Sequence, residues 1–399
     1  MRQFRVSLVL MSLLVFSTAF IFSGCGSDTS RVVRDNLGVV VLNSGWIGII
    51  DGETQTVTAP LLTGELGSSG GGVFDVVISP DGKTTLVSNF GDGMITFIDT
   101  SDPAIPVVIG TVTLSFFAED IAMTADGRYA LVTDGGFTSK IAVLDVKNHS
   151  LVEEFIGAAT PSPSPTLYHC AVAVGADGTV LTVDYFGGFL HALKLSDDGH
   201  LTYVAATDVT NGGTIRPVNL AISPDGQTVI VACISNSAAN TLFPVLTITS
   251  PGVVELSDMV TPGISLTAAQ SIVFNSTGTK AYLNCVQPAP DPLPTPGYIE
   301  HNVINVLNIT ATGKAVDAGT PMDVDFVGTS QLFGVDTMAM DNQKGYLYVS
   351  NMTLSGAKNH LQVLDVNTGT LVKTITFDPV TVGADDLDSL PTGITFLNP

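Results

Sequence analysis

The stretch "VISPDGKTTLVSNFGDGMITFID", residues 77–99, decides the fold. Two turns, Pro-Asp-Gly and Gly-Asp-Gly, cut it into three short runs rich in Val, Ile, Thr and Phe. Gly after Asp supplies the positive φ that a tight hairpin turn needs. The stretch reads as strand, turn, strand, turn, strand. Its first strand and turn return as "FDVVISPDGK" (74–83), "EDIAMTADGR" (119–128), "CAVAVGADGT" (170–179), "VNLAISPDGQ" (218–227) and "QSIVFNSTGT" (270–279), with "DTMAMDNQKG" (336–345) as a degenerate copy. A second strand follows each turn, as in "TTLVSN", "YALVTD" and "TVIVAC". A third ends in a polar turn, as in "MITFIDTSD" and "LQVLDVNTG", and a fourth is of the "VVIGTVTL" type. No segment beyond the first residues sustains a helical period.

Four-stranded antiparallel units in series predict propeller blades. Six whole units begin near Val73, Phe117, Tyr168, Pro217, Ala269 and Val335. Two fragments are left over. "LPTGITFLNP" (390–399) is a first strand with no continuation, and "LGVVVLNSGWIGIIDGETQTVTAPL" (37–61) is the other three strands with no first one. Joined, they make a seventh unit. The expectation is an all-β, seven-bladed β-propeller, closed by pairing of N- and C-terminal strands in one blade, which removes the open sheet edges. "TLVSN", "ALVTD" and "YVSN", each followed by "FIDT", "VLDV" or "VLDVNTG", resemble the YVTN-type repeat. That family consists of seven-bladed propellers and includes surface-layer proteins and relatives of lactonases. The resemblance implies the fold and leaves the activity open.

The 399 residues are 45% hydrophobic and 13% charged, with 40 Gly and 21 Pro, which suits a turn-rich globular chain. Formal net charge is −22, and this excludes nucleic acid as a partner class, because phosphate binding needs a basic footprint. Excess carboxylates favour cations, cationic partners or simply a well-solvated acidic surface.

At the start, Arg2 and Arg5 precede an apolar run from Val6 to Phe22, and Ser23, Gly24 and Cys25 follow. This is the layout of an export signal. "FSGC" (22–25) resembles the lipobox of bacterial lipoproteins, with Phe22 where that family usually has Leu. The resemblance implies cleavage before Cys25 and acylation of its sulfur. Gly26, in place of Asp, implies the outer membrane of a bacterial cell envelope. On this reading residues 1–24 are a signal peptide, 25–37 a lipidated tether and 38–399 the propeller. Removing Arg2 and Arg5 takes the charge from −22 to −24. Cys170, Cys233 and Cys285 remain, an odd number without C-x-x-C or C-x-x-C-H spacing, so zinc ribbons, thiol redox motifs and c-type haem are unsupported. Neighbouring sheets lie about 10 Å apart, too far for a Cys233–Cys285 bridge.

Loops linking the fourth strand to the next first strand, and the second to the third, share one face of the disc. The long or biased segments 66–72, 160–167, 234–242, 286–301 and 352–360 all belong to it. The first residues of the innermost strands open onto the central tunnel there. They read Phe74-Asp75, Glu119-Asp120, His169-Cys170, Val218-Asn219, Gln270-Ser271, Asp336-Thr337 and Thr392-Gly393. Packing alone would favour apolar residues at these positions. Asp75, Asp120, His169, Asn219 and Asp336 are the candidate ligand-binding set, an acidic mouth suited to a divalent cation or a small polar ligand. Asn43, Asn89, Asp134, Asp184 and Asn351 lie just outside it.

The chain has no G-x-S-x-G, H-E-x-x-H or P-loop. The leading expectation is therefore a lipid-anchored binding or scaffold module that presents its loop-rich face to a protein, peptide or glycan. The alternative is a lactonase-type hydrolase at the tunnel mouth. His169 with Asp336 or Glu119 would supply its base, and Arg216 the charge opposite the developing oxyanion.

Overall fold

The computed structural model describes residues 36–42, 45–57, 61–62, 72–136, 138–156, 169–235, 241–288, 300–327, 338–351, 360–377 and 391–397. The chain divides into two units, Met1–Arg34 and Asp35–Pro399, and every described residue belongs to the second. The proposed signal, Cys25, Asn43, Asp336 and most of the five long loop segments lie outside the described residues.

Every regular element among the described residues is a β-strand, and every pairing is antiparallel. With strands lettered A to D from the tunnel outward, blade 2 runs Val73–Ile78, Thr84–Asn89, Met94–Asp99 and Val107–Thr113. Blade 3 runs Ala118–Met123, Tyr129–Asp134, Lys140–Asp145 and Ser150–Ile156; blade 4 runs His169–Val174, Thr179–Asp184, Phe189–Leu195 and Leu201–Asp208. Blade 5 is Ile215–Ile222, Thr228–Ser235, Phe243–Ser250 and Val253–Val260. Blade 6 is Ala268–Phe274, Lys280–Pro288 and Glu300–Ala311, with Lys314–Asp317 and Met322–Val327 sharing the outer position. Blade 7 is Met338–Asp341, Tyr346–Asn351, His360–Asp365 and Thr370–Thr376. A pairing of Ile234 with Ala268 fuses blades 5 and 6 into one sheet.

Blade 1 joins the two ends of the unit. Its A strand is Pro391–Phe396, followed by Leu37–Leu42, Trp46–Asp51 and a split outer strand, Thr56–Val57 and Leu61–Leu62. Gly38 pairs with Phe396 and Val40 with Ile394, and the Leu397 amide donates to Leu37 O at 2.8 Å. Each A strand touches the next around the whole circle, including the contacts of Pro391–Phe396 with Val73–Ile78 and with Met338–Asp341. The ring is closed with seven blades, as the repeat count predicts.

The hydrophobic core has one cluster per blade interface. Leu86, Phe97 and Ile121 pack between blades 2 and 3, and Leu131, Val143 and Leu193 between 3 and 4. Phe396, Tyr348 and Val40 pack between blades 7 and 1. Middle strands are therefore buried on both faces, which is why "LGVVVL" and "YALVTD" read as apolar runs rather than alternations. Outer strands face solvent on one side and alternate, as Val107–Thr113 does.

Two local devices repeat. The A–B turn is held by its own side chains. In blade 2, Ser79 Oγ donates to Asp81 at 2.7 Å, the Lys83 amide donates to the same carboxylate at 3.1 Å, and Gly82 sits at φ 69°. Thr124, Asp126 and Gly127 repeat this in blade 3, where the Thr124 hydroxyl holds the Asp126 carboxyl below the usual range. Outer strands carry a β-bulge at one equivalent position, leaving Ile109, Val152, Val204, Ser257 and Val372 without a cross-strand partner residue. A bulge bends an edge strand away from flat pairing and so discourages edge-to-edge aggregation.

Candidate functional site

The tunnel mouth is shaped by a second set of bulges. The pairing of strands A and B slips at Val73/Val76, Ala118/Ile121, His169/Ala171, Pro217/Asn219 and Ala269/Ser271, and at the matching place in blade 1. This slip re-aims the residues beside it. Asp75 is fully buried, and its Oδ2 accepts the Ile121 amide of the next blade at 3.3 Å. One blade on, Asp120 Oδ2 accepts the Val172 amide at 2.6 Å. Ser88 Oγ accepts the Asp75 amide at 2.9 Å and donates to Glu119 O at 2.7 Å, a second bridge between blades 2 and 3. Two of the predicted ligands thus rivet consecutive inner strands together.

The bulge register also corrects the alignment of blade 4. The sequence reading set His169-Cys170 against Phe74-Asp75. In the structure Ala171 occupies the position of Asp75 and Asp120, and His169 lies two residues earlier, paired with Asp184. Asn219, 2% exposed, holds the equivalent position in blade 5. In blade 1 that position is Gly393, where a Cβ would stand 2.8 Å from Asp75 Cα. Asp75, Asp120 and Asn219 therefore share one ring, His169 stands outside it, and Asp336 lies outside the described residues. Among the described residues no group of three or more His, Cys, Asp and Glu side chains could hold a metal ion. Truncating Asp120 to Ala should cost about 1–3 kcal/mol, because the buried Val172 amide loses its acceptor. Asp120→Asn, which keeps an oxygen there, should cost less. Urea unfolding of both variants measures the difference.

Sequence reading missed an aromatic rim on the same face. Phe90, in the B–C loop of blade 2, stacks on Phe117 at 5.3 Å and 14°, and Phe74 tilts against Phe90 at 5.3 Å and 31°. Phe117 enters blade 3 and is 46% exposed. The loop beneath is glycine for a steric reason. A Cβ on Gly135 would stand 2.3 Å from Phe90 Cε2, and one on Gly136 2.7 Å from Phe117 Cδ2. Asp134 fixes that loop by accepting the Gly136 amide at 2.6 Å. The segment carrying Phe117 is latched from the other side. The Ser115 amide donates to Glu154 Oε1 at 2.7 Å, and Lys140 Nζ stands 3.0 Å from Glu154 Oε2, with the Ser115 hydroxyl between them. Partial burial pushes the Glu154 carboxyl upward, but its bonds to Ser115 and Lys140 outweigh this and hold it below the usual range. On the far side of the mouth, Tyr185 and Phe186 meet edge to face at 5.0 Å, and the Arg216 guanidinium lies 5.3 Å and 5.9 Å from their ring centres.

The histidines behave differently from expectation. His169 and His191, the latter read from sequence as a scattered residue, meet edge to face at 5.3 Å between blades 3 and 4, and are 3% and 1% exposed. Among the described residues, Thr182 Oγ1, Tyr203 Oη, both ring nitrogens of His191 and Nδ1 of His169 have no hydrogen-bond partner. Asp184 Oδ2 stands 4.0 Å from His191 Nε2, beyond hydrogen-bond reach. Burial, then the neighbouring His191, lowers the pKa of His169 to about 3; burial lowers that of His191 to about 4. Both imidazoles are neutral near pH 7. His169 is accordingly a weak general base, far from the value near the working pH that proton abstraction favours. Cys170, Cys233 and Cys285 are free, buried thiols, each pushed up by burial. The opposite face carries clefts of about 470 and 620 Å³ between the A–B turns of blades 3 to 5.

No protein-family model matches the chain, and no curated protein matches it in sequence. Solved structures do match. A functionally unknown protein from Desulfotomaculum acetoxidans shares 17% identity at a TM-score of 0.70, over 91% of this chain and 99% of that one. The periplasmic gluconolactonase of Pseudomonas aeruginosa shares 16% identity at a TM-score of 0.63, over 91% and 99%. Kuenenia stuttgartiensis hydrazine synthase shares 17% identity at a TM-score of 0.60, over 84% and 92%. Likeness at these identities defines the class: the chain has the seven-bladed β-propeller fold. Propellers with unrelated chemistry share it, so function rests on the site.

Proposed function

We propose that this chain is a YVTN-type propeller lipoprotein of the bacterial cell envelope, anchored through Cys25, preferably to the outer membrane. It acts as a binding module for a protein, peptide or glycan through the face of its D–A and B–C loops. One observation carries the reading. Phe117 is nearly half exposed, yet it is fixed by the Phe90 stack, two obligatory glycines and the Ser115–Glu154–Lys140 latch. A rigid, exposed aromatic residue beside buried polar groups is the usual anatomy of a recognition surface. The hydrolase reading is not favoured, because its intended base, His169, is held at a pKa of about 3 by burial.

Photo-crosslinking in intact envelopes tests this. A crosslinker replacing Phe117 should give adducts with an envelope component. One replacing Asp81, on the opposite face, should give none. Equal adduct yield from both faces, or none from position 117, would overturn the assignment.

A further inference from the structure

We infer that the Phe90–Phe117 shelf takes an organic ammonium ion, an alkylated amine lying against the outer face of Phe117. This deepens the proposed binding role and rests on that reading of the face.

The argument begins with equivalent positions. Phe117 directly precedes the A strand of blade 3, and Arg216 stands at the same place in blade 5, one residue before Pro217, the counterpart of Ala118. Phe90 directly follows the B strand of blade 2, as Tyr185 follows that of blade 4. In blades 4 and 5 this pair of positions holds a cation over a ring, Arg216 on Tyr185 at 5.3 Å. In blades 2 and 3 it holds ring on ring, and among the described residues no Lys or Arg stands over Phe90 or Phe117. The fold thus builds the same aromatic seat twice and supplies its own cation once.

Charge points the same way. On the face of the shelf, residues 72–127 carry four acids, Asp75, Asp92, Glu119 and Asp120, and no base; Asp81, Asp99, Asp102 and Asp126 lie with Lys83 at the turns of the other face. Lys83 sits at the opposite face, paired with Asp81 at 3.0 Å. The nearest rim cation, Lys140, is bound by Glu154 and Ser115. Glu119 is buried directly behind the shelf, with Oε2 3.1 Å from where a Gly135 Cβ would stand. Anions are repelled from such a site. A neutral ring gains only apolar contact. A cation gains both the ring quadrupole and the surrounding carboxylates.

The probes are choline and its neutral isostere 3,3-dimethylbutan-1-ol, titrated calorimetrically into the full chain in detergent. Choline should bind about tenfold more tightly, the ratio expected of a partly desolvated cation–π contact. Phe117→Leu should bring the ratio close to one, while Phe117→Tyr keeps it, with near-ultraviolet circular dichroism confirming both folds. Equal affinity for the two probes, or no choline binding, overturns the inference. If crosslinks from position 117 persist in that case, the binding face stands and only the ligand class falls. If they are missing too, both fall.

Discussion

A chain that stops at residue 390 is expected to lose its cooperative unfolding transition. The missing strand, Pro391–Phe396, is the inner strand of blade 1, and its ladder partner is Leu37–Leu42, hundreds of residues earlier in the chain. Its removal strips Ile394, Phe396 and Leu397, which are 2%, 6% and 7% exposed, from the interfaces on both sides of the blade. Each buried large side chain is worth about 1.5–3 kcal/mol. Three of them together approach the roughly 5–15 kcal/mol of net stability of a whole domain. Phe396 also tilts against Tyr348 at 4.5 Å, and its ring fills the space beside Gly38, where a Cβ would stand 2.7 Å from it. The truncation exposes Leu37–Leu42 as an apolar edge strand, an aggregation hazard. Trp46, the only Trp, lies on the next strand of the same blade and reports the lesion by fluorescence. A synthetic peptide of residues 391–399 should restore the transition. A truncated chain with an unchanged urea midpoint would mean that the ring does not depend on this closure.

The closure was legible in the sequence because it follows from counting. Asp-Gly turns mark the A–B hairpins of blades 2 to 5, weaker Gly-containing turns mark those of blades 6 and 7, and the two incomplete fragments add to one blade. Residue-level chemistry was less legible because it depends on bulges. All three bulges have the same length, so the pairing puts Ala171, not Cys170, in line with Asp75 and Asp120, and His169 in line with Val73 and Ala118. Counting back from the Asp-Gly turns marks the same register, since Asp75, Asp120 and Ala171 each lie six residues before the turn aspartate; matching "YHCAV" to "FAEDI" by its polar residues hides it. The acids at the mouth stand out in the sequence, yet the partners of Asp75 and Asp120 are backbone amides of the next blade, which have no residue signature. The aromatic rim joins residues 90, 117 and 135–136 from separate segments, so no periodicity connects them. A usable signal was present in "NFGDG" and "DYFGG", which put a large ring immediately after the polar end of strand B.

Acid should unfold this propeller through blade 4 before its carboxylates titrate. In the unfolded chain both histidines take up protons near pH 6.5. In the folded chain His169 and His191 stay neutral down to about 3 and about 4. Between those limits the unfolded state holds two more protons than the folded state, so stability is full above pH 6.5 and falls as pH falls. The slope is about 1.4 kcal/mol per pH unit for each imidazole. From pH 6.5 to 4.5 the pair removes several kcal/mol, a large fraction of ordinary stability. Asp126 and Glu154, whose folded values are depressed, begin to count only below their unfolded values near 4, so the two effects occupy different windows. The other blades suggest the control substitutions: Val73 occupies the place of His169, and Thr96 that of His191. His169→Val with His191→Thr should therefore flatten the dependence of the urea midpoint on pH between 4.5 and 6.5 while leaving the steeper fall below pH 4 in place. An unmodified chain whose midpoint is already flat across that interval would show that both imidazoles are charged in the fold, and a slope cut to half would show that one of them is. Asp184 Oδ2 stands 4.0 Å from His191 Nε2, and Asp184→Asn would then restore the share of the slope that His191 contributes.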